Sequence, residues 1–282
     1  MSYQRIQVRV AGGTLTGAIW GDDGPVVLAV HGVTSSHLAW AAVARKLTGV
    51  RLVAVDLRGR GDSGALPGPY GMAQHAADCV AVLDALGVAG PVPVTGHSMG
   101  GFVAVVLADE HPDRVSRLVL VDGGPPLPAP PGDPMEALAA SIGPAADRLR
   151  RRFADRAQYR DFWRAHPALY NWTPDLESYV DYDLTGEEPE LRSKVSLDAV
   201  REDSVDLLTG DTLPAAWRRL RHDALLLRAE RGMLDEEIPM YPDVDALTAT
   251  LPVRTVPGTN HYTILLGDPG AVAVASALQP PS

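Results

Sequence analysis

The chain has a single cysteine, Cys79, among its 282 residues, so no intrachain disulfide can form. A disulfide-stapled secreted domain is therefore excluded, and a chain of this length can bury a sizeable core without staples. Cys79 falls in a stretch of helical spacing over residues 72–86. That position favours a buried thiol over a reactive one.

Long hydrophobic runs are also missing. No stretch approaches the roughly 18 consecutive apolar residues that a membrane-spanning helix needs. The first ten residues are polar and alternating, without the apolar centre of a signal peptide. Together with the lone cysteine, these absences lead us to expect a cytoplasmic protein with no membrane partner.

Positive charge is scarce, because 25 Lys and Arg stand against 35 Asp and Glu, for a net charge of −10. Nucleic-acid binding needs clustered positive charge, so this composition argues against it. The one basic run comprises Arg148, Arg150, Arg151 and Arg152, and we expect it to be the solvated face of a helix. The histidines lack the spacing of metal ligands, and we expect neither a metal nor an organic cofactor. The sequence does not indicate an oligomeric state.

Strands and helices alternate in the first 125 residues. Residues 4–10 and 14–20 predict a hairpin, and 25–30, 50–55, 91–95 and 116–122 predict further strands. Helical spacing covers 37–47, 72–86 and 101–110. Strands at 224–228 and 251–256 and a helix at 270–278 follow later in the chain. This order predicts an α/β fold with a mostly parallel eight-stranded sheet, flanked by helices on both faces.

A run rich in proline and glycine, residues 123–132, interrupts this alternation and predicts a linker. From about 134 to 208 the pattern is helical, without convincing strands and with many aromatics. We therefore expect a core of residues 1–132 and 211–282, with a helical cap, 133–210, inserted after the sixth strand.

The most informative motif is Gly96-His97-Ser98-Met99-Gly100, which has the pattern Gly-x-Ser-x-Gly. It lies between a short apolar strand and a helix, where a sharp turn exposes the serine hydroxyl. Small residues two before and two after the serine fit so tight a turn. The motif predicts that Ser98 is an activated nucleophile, rather than only a helix cap.

An activated serine needs a general base, and in a parallel sheet reacting groups gather beyond the carboxyl ends of the strands. His261 lies on the loop directly after the last predicted strand, so it is the candidate base. His97 adjoins the nucleophile, and we expect a structural role for it.

The loop 31–36, which begins His31-Gly32-Val33, follows a buried strand and is the candidate source of an oxyanion donor. Acyl transfer places negative charge on the former carbonyl oxygen, which backbone N–H groups stabilise. The candidate donors are the N–H groups of Val33 and of Met99, the residue after the nucleophile.

These features resemble the α/β-hydrolase superfamily. The segment 56–63, Asp-Leu-Arg-Gly-Arg-Gly-Asp-Ser, is similar to that family's loop after the fourth strand, where its role is architectural. The resemblance covers the whole chain except the helical insertion, which corresponds to the family's variable cap. It implies a triad in the order serine, acid, histidine.

The resemblance leaves two places for the acid. Its usual position after the seventh strand holds Gly232, which is flanked by Glu230 and Asp235. A second position used in the family, at the end of the sixth strand, holds Asp122, and we favour this residue. A structural role for Asp122, bonding loop N–H groups, is the alternative.

These expectations combine into a serine hydrolase that cleaves an ester or lactone of a small hydrophobic substrate through an acyl-enzyme. The expected catalytic residues are Ser98, His261 and Asp122. Thioesterase, carbon–carbon hydrolase and cofactor-free haloperoxidase activities use the same triad and stay open. A non-catalytic ligand-binding protein on the same scaffold is the alternative from another class.

Overall fold

The computed structural model describes residues 3–127 and 147–279. In chain order, its strands are β1 Gln4–Val10, β2 Gly13–Trp20, β3 Val26–Val30, β4 Arg51–Val55, β5 Val92–His97, β6 Val115–Val121, β7 Leu184–Thr185, β8 Arg192–Ser193, β9 Ala224–Ala229 and β10 Val253–Val256.

Eight of these strands form one sheet in the order β1-β2-β4-β3-β5-β6-β9-β10. Strand β2 runs antiparallel to both of its neighbours, and every other pairing in this sheet is parallel. The predicted mostly parallel eight-stranded sheet is therefore confirmed. Strands β7 and β8 form a separate two-stranded sheet within the described residues.

The α-helices are α1 Ala41–Ala44, α2 Met72–Ala85, α3 Met99–Glu110, α4 Arg156–Arg164, α5 Pro174–Tyr182, α6 Leu197–Thr209, α7 Thr212–Arg219, α8 Val244–Thr248, α9 Thr263–Leu266 and α10 Asp268–Leu278. The predicted helix over 37–47 is shorter than expected, because a single 3₁₀ turn, His37–Trp40, precedes α1. Within residues 3–127 and 147–279, no helix is long and apolar enough to span a bilayer.

The core lies on both faces of the sheet. All five residues of β3 are buried, as expected for a central strand whose sequence is a continuous apolar run. Helices α2, α3 and α7 pack on one face, and α1, α9 and α10 pack on the other. This sandwich leaves the loops at the carboxyl ends of the parallel strands free to carry a site.

Between β6 and β9 the chain leaves the sheet. We call the described part, residues 147–209, the inserted segment; it holds α4, α5, α6 and the β7–β8 pair. The expectation of no strands there is wrong at this pair, whose strands have two residues each, too short for alternation to be visible in the sequence. Residues 128–132 of the predicted linker, and the start of the predicted cap at residue 133, lie outside the described residues.

Cys79 is fully buried on α2, and burial raises the pKa of its thiol. We therefore expect the native protein to resist Ellman's reagent, because neither access nor thiolate is available. After unfolding in denaturant, one thiol per chain should react. Rapid labelling of the native protein would contradict this burial.

Candidate active site

Ser98 lies at the turn from β5 into α3, with φ 55° and ψ −124°. A Cβ atom on Gly96 would lie 2.0 Å from the carbonyl oxygen of Gly100. One on Gly100 would lie 2.1 Å from the carbonyl oxygen of Val30. Both glycines are therefore required by close backbone contacts, and a single residue in a left-handed conformation makes the turn.

His261 lies in the loop after β10, and its Nδ1 is 2.7 Å from Oδ2 of Asp122. Asp122 directly follows β6, is fully buried, and accepts a second hydrogen bond from the N–H of Ala229 at 3.0 Å. Because a carboxylate accepts, the imidazole hydrogen belongs on Nδ1 and the lone pair on Nε2. The pair thus selects the tautomer that a general base needs.

The two other candidate acids bond elsewhere. Glu230 accepts from the N–H of Gly258 at 2.8 Å. Asp235 accepts from Nδ2 of Asn260 at 3.0 Å and pairs with Arg231 at 3.0 Å. Among the described residues, neither carboxylate is hydrogen-bonded to the imidazole of His261. Both instead hold the loop that precedes it.

His97 is bonded to the backbone of His261, in keeping with the structural role expected for it. Its Nε2–H donates to the carbonyl oxygen of His261 at 2.8 Å, and the two rings lie 4.8 Å apart between centroids. Burial, followed by the nearby His261, lowers the pKa of His97 to about 3. His97 is therefore a neutral donor that ties the loop of His261 to the turn at Ser98.

Ser98 and His261 line one pocket, together with the loop after β3. The cavity has a volume of about 50 Å³ and is lined by Gly32, Val33, Thr34, Ser35, Ala39, His97, Ser98, Tyr179, Met233, His261, Tyr262, Leu265 and Leu266. Of the two predicted oxyanion donors, Val33 lines this pocket. Met99 is buried and is the first residue of α3. The N–H groups in the first turn of a helix have no carbonyl partner within that helix.

His31 holds the beginning of the loop 31–36. Its Nε2 accepts from the N–H of Leu57 at 3.0 Å, so Nδ1–H donates to the carbonyl oxygen of Gly32 at 2.7 Å. Complete burial lowers the pKa of His31 to about 4. This histidine is consequently neutral and in one tautomer at physiological pH.

The loop 56–63 forms buried polar contacts. Asp56 accepts from the N–H of His37 at 2.8 Å and from the hydroxyl of Tyr182 at 2.5 Å. Arg58 makes a two-armed pair with Asp78, at 2.7 and 2.8 Å. These contacts suit the architectural role that the family resemblance implies for this loop.

The prediction of a solvated basic face is wrong for Arg148, which is only 3% exposed. Its Nη1 pairs with Asp183 and donates to the hydroxyl of Tyr159 at 2.8 Å. Arg150, Arg151 and Arg152 are exposed, as predicted. The sequence holds no local signal for this difference, because Asp183 is 35 residues further along the chain.

Within the described ranges, no group of three or more His, Cys, Asp or Glu side chains is arranged to hold a metal ion. The groups at this site include a serine hydroxyl, a histidine oriented by a carboxylate, and backbone N–H groups. These are the components of nucleophilic acyl transfer.

The fold and this arrangement define the class of protein. The chain belongs to the α/β hydrolase fold family, whose sequence model matches residues 25–171 of the 282. The solved structure of an E-2-(acetamidomethylene)succinate hydrolase matches with a TM-score of 0.80 over 98% of both chains, at 23% identity. That likeness shows the fold alone.

Two relatives with higher identity match part of the chain. Lipase LipV of Mycobacterium tuberculosis is 41% identical over 104 residues, which are 36% of this chain and 39% of the lipase. A protein named putative carbamate hydrolase RutD, from Caulobacter segnis, is 42% identical over 101 residues, 35% of this chain and 38% of its own length. Family and relatives together support a hydrolytic function.

The buried histidines make stability depend on pH. Between pH 7 and 5 the unfolded chain protonates its histidines, whereas His31 and His97 stay neutral in the folded chain because their pKa values are about 4 and about 3. The contribution of these two histidines to the free energy of unfolding is therefore fully present above about pH 6.5. It falls as the pH drops, by on the order of 2 kcal/mol for each histidine at pH 5.

Urea unfolding at pH 7 and pH 5 would measure this difference. The variant His97→Gln retains a donor at the same reach but does not titrate, so its loss of stability between the two pH values should be clearly smaller. The half-buried His111, changed to Gln, is the control and should leave the pH dependence unaltered. A loss of stability between pH 7 and pH 5 that is as large in His97→Gln as in the wild type would contradict the neutral buried His97.

Proposed function

We propose that this chain is a serine hydrolase that cleaves a carboxylic ester or lactone of a small hydrophobic substrate through an acyl-enzyme. The observation that carries the proposal is the shared pocket of Ser98 and His261, with His261 hydrogen-bonded to Asp122 at 2.7 Å. Membership of the α/β hydrolase fold family supports the same reaction class.

In the proposed reaction, Nε2 of His261 takes the proton of the Ser98 hydroxyl as its oxygen attacks the substrate carbonyl carbon. The imidazolium that forms is stabilised by the carboxylate of Asp122. His261 then returns the proton to the departing alcohol oxygen, and an acyl-Ser98 ester remains. Water, deprotonated by His261, hydrolyses that ester and restores the serine.

Two backbone N–H groups, those of Val33 and Met99, are the proposed oxyanion donors. Val33 supports this role because it lines the pocket beside Ser98, in a loop held by buried side chains. The position of Met99 as the first residue of α3 supports the same role for its N–H, because the helix dipole favours negative charge there. Donors fixed before the reaction need no rearrangement as charge develops.

The pocket lining supports a small apolar acyl group. Most lining side chains near Ser98 are apolar or aromatic, and the cavity volume is about 50 Å³. Pockets for drug-sized ligands occupy roughly 300–1,000 Å³, so only a short acyl chain fits between the described residues.

We further propose that the inserted segment, the described part of the predicted cap 133–210, acts as a cap over this pocket. Two contacts of the inserted segment support the proposal: the hydroxyl of Tyr179 lies 3.1 Å from Oγ of Ser35, and the ring of His166 packs edge-on against Tyr262 at 4.9 Å. Ser35 and Tyr262 both line the pocket. The cap would therefore limit the size of the acyl group.

Changing Ser98 to Ala removes the nucleophile, and turnover of p-nitrophenyl acetate should fall by at least about a thousandfold. The same variant should lose labelling by a fluorophosphonate that reacts with the wild type. Parallel assays with lactone, thioester and carbamate substrates would identify the preferred bond. Equal turnover by wild type and variant would refute the proposed nucleophile and favour a binding protein.

Changing Asp122 to Asn leaves the shape of the side chain but favours the wrong tautomer of His261, so kcat should fall by about 10³- to 10⁴-fold. Glu230→Gln is the matched control, since Glu230 bonds the N–H of Gly258, and we expect its kcat within about threefold of wild type. The reverse outcome, with Glu230→Gln inactive and Asp122→Asn active, would transfer the role to Glu230.

A further inference from the structure

Three consecutive carbonyl groups of the loop 31–36 accept hydrogen bonds from buried basic side chains. The carbonyl oxygen of Gly32 accepts from His31 at 2.7 Å. That of Val33 accepts from Nε of Arg60 at 2.8 Å, and that of Thr34 accepts from Nη2 of Arg148 at 3.3 Å. These basic residues are at most 3% exposed.

Both arginines have their counter-charge in the inserted segment. Nη1 of Arg60 lies 2.6 Å from Oδ2 of Asp203 on α6, and both side chains are fully buried. Asp203 is itself fixed by the N–H of Gly71 at 2.6 Å. Nη1 of Arg148 pairs with Asp183, which follows α5.

We propose that the inserted segment sets the position of the loop 31–36 through these two buried pairs, Arg60–Asp203 and Arg148–Asp183. Arg60 and Arg148 are then positioning residues, which act on the reaction through the backbone of Val33 and Thr34. This inference rests on the proposed function, because it assigns the pairs to the loop that carries the oxyanion donor Val33.

The physical argument starts from the planar peptide group. Because the peptide is planar and trans, holding the carbonyl oxygen of Gly32 also sets the direction of the N–H of Val33. Holding the carbonyls of Val33 and Thr34 restricts the rotation of that peptide, because its neighbours in the chain can no longer turn with it. An oxyanion donor works only within a few tenths of an ångström of its correct position, and a shift of about 1 Å can cost a hundredfold in rate.

A gain in folding stability does not by itself account for the two buried ion pairs. The cost of removing two charges from water offsets much of their attraction, so buried ion pairs add little net stability. Their geometric effect is different, since each guanidinium here bonds a carboxylate with one nitrogen and a loop carbonyl with another. A substitution that tests this effect must remove the guanidinium nitrogens that bond the carbonyls of Val33 and Thr34.

The variants Arg148→Lys and Arg60→Lys retain the positive charge beside Asp183 and Asp203 but lose the planar second arm. Arg58→Lys is the matched control, because Arg58 makes an equally buried pair with Asp78, and its side chain bonds Pro67 and Ala11 rather than the loop. For each protein we would measure kcat and KM with p-nitrophenyl acetate per titrated active site. The affinity for a trifluoromethyl ketone, whose adduct carries an oxyanion, is the second measurement.

We expect kcat to fall about 10- to 100-fold in Arg148→Lys and Arg60→Lys, with KM within about twofold and the ketone affinity reduced in proportion to kcat. Arg58→Lys should keep kcat and ketone affinity within about twofold of wild type, although its melting temperature falls. An unchanged kcat in Arg148→Lys and Arg60→Lys would overturn the proposal. An equal loss of kcat in the control Arg58→Lys would also overturn it.

If one of the variants Arg148→Lys and Arg60→Lys does not fold, the kcat and ketone affinity of the other test the proposal. If neither folds, Tyr159→Phe takes their place, because it removes only the hydroxyl that accepts from Nη1 of Arg148 at 2.8 Å beside Asp183, and unchanged kcat and ketone affinity would then overturn the proposal. Failure of the proposed function can be distinguished from failure of this inference. A wild type that neither hydrolyses the ester nor is labelled at Ser98 refutes the serine hydrolase, whereas an active wild type with unaffected variants refutes this inference alone.

Discussion

The close backbone contacts of the start of α3 with β5 and β3 are the constraint on which the candidate site depends. The positions of Gly96 and Gly100 leave no room for side chains, since a Cβ at either would lie within about 2 Å of a carbonyl oxygen. The chain therefore turns within the single residue Ser98, at φ 55°. This turn brings the start of α3, and with it the positive end of the helix dipole, directly beside the serine.

The order of the strands brings the other components to the same place. Strand β5 lies between β3 and β6, so the loop after β3, the turn at Ser98 and the residue after β6 are neighbours. The residue after β6 is Asp122, and His261 reaches it from the loop after β10. A parallel sheet places all of these loops at one edge, which is why residues far apart in the chain share one pocket.

Buried charge is the main cost of this arrangement. Asp56, Arg60 and Asp203 are each fully buried, and charges in such positions are tolerated only with partners. Each has at least one partner: His37 and Tyr182 for Asp56, and the mutual pair for Arg60 and Asp203. Groups paired in this way resist displacement, because moving one would leave its partner unpaired in a medium of low dielectric constant.

The alternating strands and helices, the turn at Ser98 and the position of His261 after the last strand can be predicted from the sequence alone. Each is a local feature, since it follows from the period of apolar residues, from small residues beside a serine, or from the order of the strands along the chain. Tertiary packing, in contrast, selects the carboxylate that meets His261 and buries Arg148. Asp122 and Glu230 both follow strands of one sheet, and only packing directs the first to the imidazole and the second to a loop N–H. Arg148 resembles its exposed neighbours in sequence, because its partners, Asp183 and the Thr34 carbonyl, are distant in the chain.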